Sequence, residues 1–164
     1  MNDIGIIKLI GKYKGFTIVD NDIFQELNQY KWRKQSNGYI VRSIVKNGSW
    51  SSEYLHKRIL VVDEPNLEID HINGCRFDNT SRNLRICTIN QNQHNRKKQK
   101  KETSSKYKGV NWNKQNKKWR SQIAIGMKKI YLGYFDNEKD AALTYNKAAK
   151  KYHGDFALLN IIED

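Results

Sequence analysis

A chain of 164 residues has room for one ordinary domain or two small ones. Hydrophobic residues are 38% of it and the mean hydropathy is −0.85, so no apolar run approaches the roughly 18 residues of a membrane span. The net charge of +13 and a pI near 9.7 favour a polyanionic partner, because Lys and Arg displace condensed counterions from phosphate backbones; the bland alternative is charge that only aids solubility. The opening MNDIGIIKLIGKYKGF carries acid early and lacks the sustained apolar stretch of a secretory segment, so a soluble, intracellular, cytoplasmic chain is expected. Cys75 and Cys87 are too few for a disulfide framework, and with His71 or His94 their spacing matches no closed zinc site.

In chain order, the first fifty residues read as strands and turns. KWRKQ, GYIVRSIVK and SWSSEYL are separated by Asn37-Gly38 and Asn47-Gly48, dipeptides that take the positive φ angles of tight hairpin turns. A small antiparallel meander follows from this, with a short helix around DIFQELNQY and another over YLHKRILVV that Pro65 is expected to end. From 94 to 108 the composition shifts to HNRKKQKKETSSKYK, which marks a domain boundary. Beyond it GVNWN, KKWRSQIAI and KKIYLGYF alternate like strands, and Ser121, Ile123 and Ile125 separate from Arg120, Gln122 and Ala124 as two faces. The period then becomes helical: Ala141, Ala142, Tyr145, Ala148, Ala149 and Tyr152 form one face, with Asp136 or Asn137 as cap and Gly154 as stop. Trp119, Ile123 and Ile125 are expected to meet that face.

The stretch LEIDHINGCRFDNTSRNLR, residues 67 to 85, sets a carboxylate beside an imidazole at the end of an apolar run. Hydrolysis of a phosphodiester needs an oxygen-rich cation site and a base to activate water, and Asp70 and His71 supply both types. NLRICT returns as a second strand, and TINQNQHNRKK then starts a helix with Thr88 as its cap and Asn92 on it, a ββα unit. Read singly, Asp70 caps a turn, His71 is a satisfied polar residue under a loop, and Asn79 and Asn83 are turn formers.

Together, LHKRILV, EIDHINGCRFDNTSRNLR and ICTINQNQHN resemble the HNH endonuclease family, in particular its phage and intron homing branch, over roughly residues 54 to 97. The resemblance implies that His71 is the general base, that Asp70 and Asn92 are ligands of a divalent metal, and that Asn83 holds the loop and the orientation of the base. Magnesium is the implied ion, with manganese as the alternative and zinc disfavoured. His94 stays outside the metal shell, and His56 serves packing or phosphate contact.

YKGVNWN, KKWRSQIAI and KKIYLGYFDNEKDAALTYNKAAKKYHGDFALLN resemble the Apetala/ethylene-response-factor DNA-binding domain over roughly residues 105 to 160. In that family a three-stranded sheet enters the major groove with the helix behind it. Lys108, Gly109, Asn111, Asn113, Gln122, Lys129 and Tyr131 match DNA-facing places, and Arg120 shares the face of Gln122. Several family arginines are Asn or Lys here; Lys lacks the planar fork that reads guanine, while Asn pairs bidentately with adenine, so the target sequence differs.

The expected architecture is α+β: a β-rich segment (1–53), a ββα-metal nuclease core (54–97), a basic linker (98–104), and a three-stranded antiparallel sheet packed on one helix (105–162). The expected activity is metal-dependent nicking of double-stranded DNA by a monomer with no membrane association and no obligate protein partner. The rival readings are a DNA-binding regulator with an inactive nuclease motif, and an RNA-directed protein, which a sheet shaped for the major groove disfavours.

Overall fold

Alternating burial builds the first hairpin. Strand β1 (Ile4–Leu9) hides Gly5, Ile7 and Leu9 and exposes the residues between, and it pairs antiparallel with β2 (Gly15–Asp20), which hides Thr17 and Val19. Helix α1 (Asn21–Leu27) follows at once, and a side chain at Gly5 would overlap the Phe24 ring at 2.4 Å. The meander is then β3 (Arg33–Lys34), β4 (Ile40–Lys46) and β5 (Ser49–Tyr54), in the order β3-β4-β5. Asn47 and Gly48 have φ of 51° and 74° and join Lys46 directly to Ser49, the tight turn expected there. The Asn37-Gly38 turn is wider: only Gly38 has positive φ, and Gln35 N–H bonds Tyr39 O across it.

The computed structural model describes residues 3–96 and 104–163. The chain divides into two compact units, Met1–Ile89 and Asn90–Asp164. Among the described residues the fold is mixed α+β, with four small antiparallel sheets and four α-helices. The linker expected at 98–104 lies outside the described residues except for Ser104.

In the first unit, helix α2 (Leu55–Ile59) precedes β6 (Leu67–His71), which pairs antiparallel with β7 (Leu84–Thr88). Pro65 does not end α2; the backbone is already extended at Leu60, and five residues are all the helix there is. One core unites the segments read separately from sequence: Ile7, Leu9, Val19, Leu27, Trp32, Ile40 and Leu55 are buried together, with Ile59 and Phe77 against them. Trp32 at its centre donates its indole N–H to Leu27 O at 2.8 Å, which satisfies the one polar atom that burial would otherwise strand. Of the two thiols, Cys75 is exposed on the loop after β6, and Cys87 is buried on β7 with its pKa pushed up to about 11 by burial.

The second unit takes in α3 (Ile89–Asn95) from Asn90 onward, then β8 (Val110–Asn113), β9 (Lys118–Ile125), β10 (Lys128–Phe135) and α4 (Glu138–His153), with β9 central in the sheet. Asn137 caps α4 by accepting from Lys139 N–H at 2.8 Å, and Gly154 ends it at φ 53°. Ala141, Ala142, Tyr145, Ala148 and Ala149 are buried as the helical period requires. Tyr152 is exposed, and His153 fills the last buried position, its ring nitrogen 2.9 Å from Ala124 O. Trp119 and Ile123 pack in the two cores beneath α4. Among the described residues no helix is long and apolar enough to cross a membrane.

Gly109 is fixed by this packing: its φ is +76°, and a Cβ there would lie 2.0 Å from the Tyr145 ring and 2.6 Å from Gln122 O. Gly109→Ala is expected to destabilise the second unit by about 2–4 kcal/mol. Urea denaturation of the two proteins, followed by circular dichroism, measures this.

Candidate active site and nucleic-acid face

The loop from 72 to 83 is held by its own Asx side chains. Asn73 Oδ1 accepts from Cys75 N–H at 2.7 Å, and Asp78 Oδ1 accepts from the Thr80 hydroxyl at 2.6 Å. Asn83 closes the loop: its Oδ1 accepts from Asn73 N–H at 3.0 Å, its Nδ2 donates to Asp78 O at 2.7 Å, and its carbonyl accepts from Ile72 N–H at 2.9 Å. The β1-β2 hairpin then grips the loop from outside. Ile18 N–H donates to Phe77 O and Asn79 N–H donates to Ile18 O, both at 2.9 Å, and Asp20 accepts from Ser81 N–H at 2.7 Å.

At the centre of this grip sits Asn79, only 1% exposed. Its Nδ2 donates to Thr17 Oγ1 at 2.9 Å and to Arg76 O at 3.1 Å, while Thr17 gives its own proton to Phe77 O at 2.8 Å. Those acceptors settle which way the amide points. Asn79 Oδ1 therefore faces His71 Nε2 at 3.2 Å, and an acceptor there places the imidazole N–H on Nε2. In the neutral ring the lone pair then sits on Nδ1. Burial lowers the pKa of His71, with the Asn79 hydrogen bond and the Asp70 charge acting the other way, so the neutral form predominates at neutral pH.

Asp70 and His71 are the last two residues of β6 and both are buried. Asp70 Oδ2 takes two hydrogen bonds from Arg85 on the paired strand, Nε at 3.0 Å and Nη2 at 2.7 Å, in the register Asp70↔Arg85. His56, on α2, is 5% exposed and packs among Tyr39, Tyr54 and His71, with ring centroids at 5.0, 5.6 and 5.4 Å. Burial first, and the charge of His71 second, hold its pKa at about 3.

Asp70, His71 and Asn83 thus lie on one hairpin and its loop in the first unit, whereas Asn92, on α3, belongs to the second. His94 stacks on His153 at 3.7 Å within that second unit. Among the described residues no group of three or more His, Cys, Asp or Glu side chains is placed to hold a metal. The Asp70 carboxylate is a hard oxygen donor, the type that a divalent cation takes while it keeps several waters.

In the second unit the strand residues matched to DNA share one face. The register pairs Asn111 with Arg120, Asn113 with Lys118, Gln122 with Tyr131 and Ala124 with Lys129, and directly paired residues point the same way. A bulge between Tyr131 and Gly133 resets the alternation, so Tyr134, opposite Arg120, joins Tyr131 on that face with ring centroids 5.2 Å apart. Lys108 is engaged within the unit. Its ammonium donates to His94 O at 2.5 Å and Arg96 O at 2.8 Å, at the end of α3, and burial lowers its pKa to about 8. Two of its three N–H donors are used there.

Asn79, read as a turn former, touches the imidazole directly, and Thr17, Tyr39 and Arg85 carried no local signal for their places around the site. Their partners lie 62, 32 and 15 residues away in sequence, and only the fold joins them.

An uncharacterised HNH endonuclease of Acanthamoeba polyphaga mimivirus is 31% identical to this chain over 161 residues, which span 94% of this chain and 80% of that protein. An AP2-like ethylene-responsive transcription factor of Arabidopsis thaliana is 39% identical over 59 residues, 36% of this chain and 12% of that protein. The APETALA2-like protein 2 of Oryza sativa subsp. indica is 41% identical over 59 residues, 35% of this chain and 13% of that protein. No family model and no solved structure matches the chain.

The buried His56 makes stability depend on pH with a definite sign. Between its ordinary value of 6.5 and about 3, the unfolded chain binds a proton that the folded chain does not, so stability present above 6.5 is lost as pH falls, by up to about 1.4 kcal/mol per pH unit. The urea midpoint is expected to drop between pH 7 and pH 5, and to drop less in His56→Phe.

Proposed function

The chain belongs to the HNH endonuclease family, and on that premise we propose that it hydrolyses phosphodiesters in double-stranded DNA with His71 as the general base and Asp70 and Asn92 as the residues that hold a divalent cation. The observation that carries the reading is the buried, neutral His71 whose Nε2 is tied to Asn79, beside the carboxylate of Asp70.

In this mechanism His71 takes a proton from water through Nδ1, the nitrogen that Asn79 leaves unprotonated. The water oxygen attacks phosphorus and the 3′ oxygen departs. Asn79 and Thr17 keep the ring from rotating, and Asn83 keeps the loop closed beneath it. Arg85 orients the Asp70 carboxylate. A bound cation, magnesium or manganese, supplies stabilisation of the charge that develops on phosphate and leaving oxygen. The paired strands β6 and β7 are the frame of His71 and Asp70 in this reading. One such site per chain makes a nick in one strand the elementary event, as in a homing-type nickase, and a monomer suffices for it.

The sheet of the second unit serves as the targeting module in this reading. Asn111, Asn113, Arg120, Gln122, Lys129 and Tyr131 would face the major groove, with Gly109 setting the entry to β8 and Lys108 at its edge. Support comes from the shared face that the strand register gives these residues and from the plant transcription factors similar to part of the chain.

Plasmid nicking with Mg²⁺, with and without chelator, tests the chemistry. His71→Ala is expected to slow it by about 10²–10⁴-fold while duplex binding is unchanged. Undiminished nicking in the variant overturns the assignment, and a wild-type chain that binds DNA but never nicks it is a DNA-binding protein instead. Gln122→Ala and Tyr131→Ala are expected to weaken duplex binding by about tenfold. Wild-type affinity should fall steeply with salt, and a flat dependence argues against phosphate contact.

A further inference from the structure

Three of the six arginines of the first unit are occupied by acids. Arg42 pairs with Glu53, Arg58 with Glu26 at 2.6 Å, and Arg85 with Asp70 at 2.7 Å. Arg76 is different. Among the described residues no carboxylate pairs with it, yet its exposed side chain is held in one place. Its guanidinium lies over the face of Tyr39, 4.1 Å from the ring centroid, and one of its N–H groups donates to Asn37 O in the β3-β4 turn. An ordered cation with donors to spare is costly to hold and is suited to an anion.

The position of that cation is set by the base's own neighbours. The Tyr39 ring is 6.2 Å from His71 and 5.0 Å from His56. The Arg76 carbonyl accepts from Asn79 Nδ2, so the amide that orients His71 also anchors the backbone from which the guanidinium extends. The charge of Arg76 is near enough to act against protonation of both imidazoles. A guanidinium fixed in its plane by stacking meets phosphate oxygens through two parallel N–H bonds, where an ammonium offers only a point charge.

We propose that Arg76 binds the phosphodiester on which His71 acts, as a catalytic residue of that site. The proposal rests on the nuclease reading above. As the bond from water oxygen to phosphorus forms and the bond to the 3′ oxygen breaks, negative charge accumulates on the non-bridging oxygens, and Arg76 donates to them, while the proton of the attacking water goes to His71. Tyr39 is the positioning residue that keeps the guanidinium plane turned toward the site.

Two measurements test this. In the first, the side-chain Nε–H resonance of Arg76, assigned by its loss in Arg76→Lys, is followed while a short DNA duplex is titrated into the full chain in the presence of chelator. A saturable shift is expected, and an unmoved resonance overturns the proposal whether or not the protein cleaves. In the second, plasmid nicking is compared for wild type, Arg76→Ala and Arg76→Lys. The Ala variant is expected to nick about 10²–10³-fold more slowly with duplex affinity changed less than tenfold, the Lys variant to recover part of the loss, and added guanidinium to restore part of the rate of the Ala variant alone. Guanidinium rescue is a readout that a merely structural loss would not give. If Arg76→Ala unfolds, the resonance and the Lys variant still decide. Wild-type nicking rates in Arg76→Ala, with His71→Ala inactive, overturn the Arg76 assignment and leave the nuclease reading intact. A moving resonance in a chain that never nicks overturns the nuclease reading and keeps the phosphate contact.

Discussion

The side chain of Asn79 is the constraint on which the first unit turns. A buried carboxamide has to satisfy two donors and an acceptor or cost several kcal/mol, and this one does so by joining three separate pieces of chain: Thr17 on the first hairpin, Arg76 O on the loop, and His71 at the end of β6. The hydrogen bonds that make Asn79 tolerable inside the protein are also those that choose the tautomer of the imidazole. In the proposed mechanism, stability and chemistry are supplied by the same atoms. The N-terminal hairpin is thereby part of the site rather than a neighbour of it, and its sharing of one hydrophobic core with α2 and Phe77 agrees with that.

A different economy governs the second unit. There the helix that backs the sheet is made nearly all of Ala and Tyr on its buried side, so strands and helix approach until only glycine fits at position 109. The close approach frees the opposite face from any packing duty. That face carries amides, cations and two tyrosines, and the bulge before Gly133 adds Tyr134 to it. A surface organised this way has its donors and acceptors in fixed register, as groove reading demands.

Much of this was legible because the signals were periodic or local. The strands of the second unit, the cap at Asn137, the stop at Gly154 and the turn at Asn47-Gly48 each depend on residues within a few positions of one another. The hairpin of LEIDH and NLRICT followed from two apolar runs around a polar loop, and His71 stood out by its chemistry. What was illegible was long-range. Nothing near Thr17 announces that it holds an amide 62 residues away, and nothing in LHKR says that His56 is sealed among aromatic rings. The partners of Lys108, matched to a DNA-facing place, were hidden for a similar reason: the carbonyls of His94 and Arg96 that its ammonium meets are 14 and 12 residues away. The helix over YLHKRILVV was overextended because its apolar tail continues past the point where the backbone straightens at Leu60.

The two cysteines of this chain are not equivalent reagents. Cys87 is sealed on β7 with its thiol pushed up to about 11, so at neutral pH it is almost wholly in the unreactive form, whereas Cys75 stands exposed on the loop that begins beside the imidazole. A maleimide dye or nitroxide would therefore mark the unmutated protein at a single place, one residue from Arg76. The chain carries its own attachment point for watching that loop when DNA arrives.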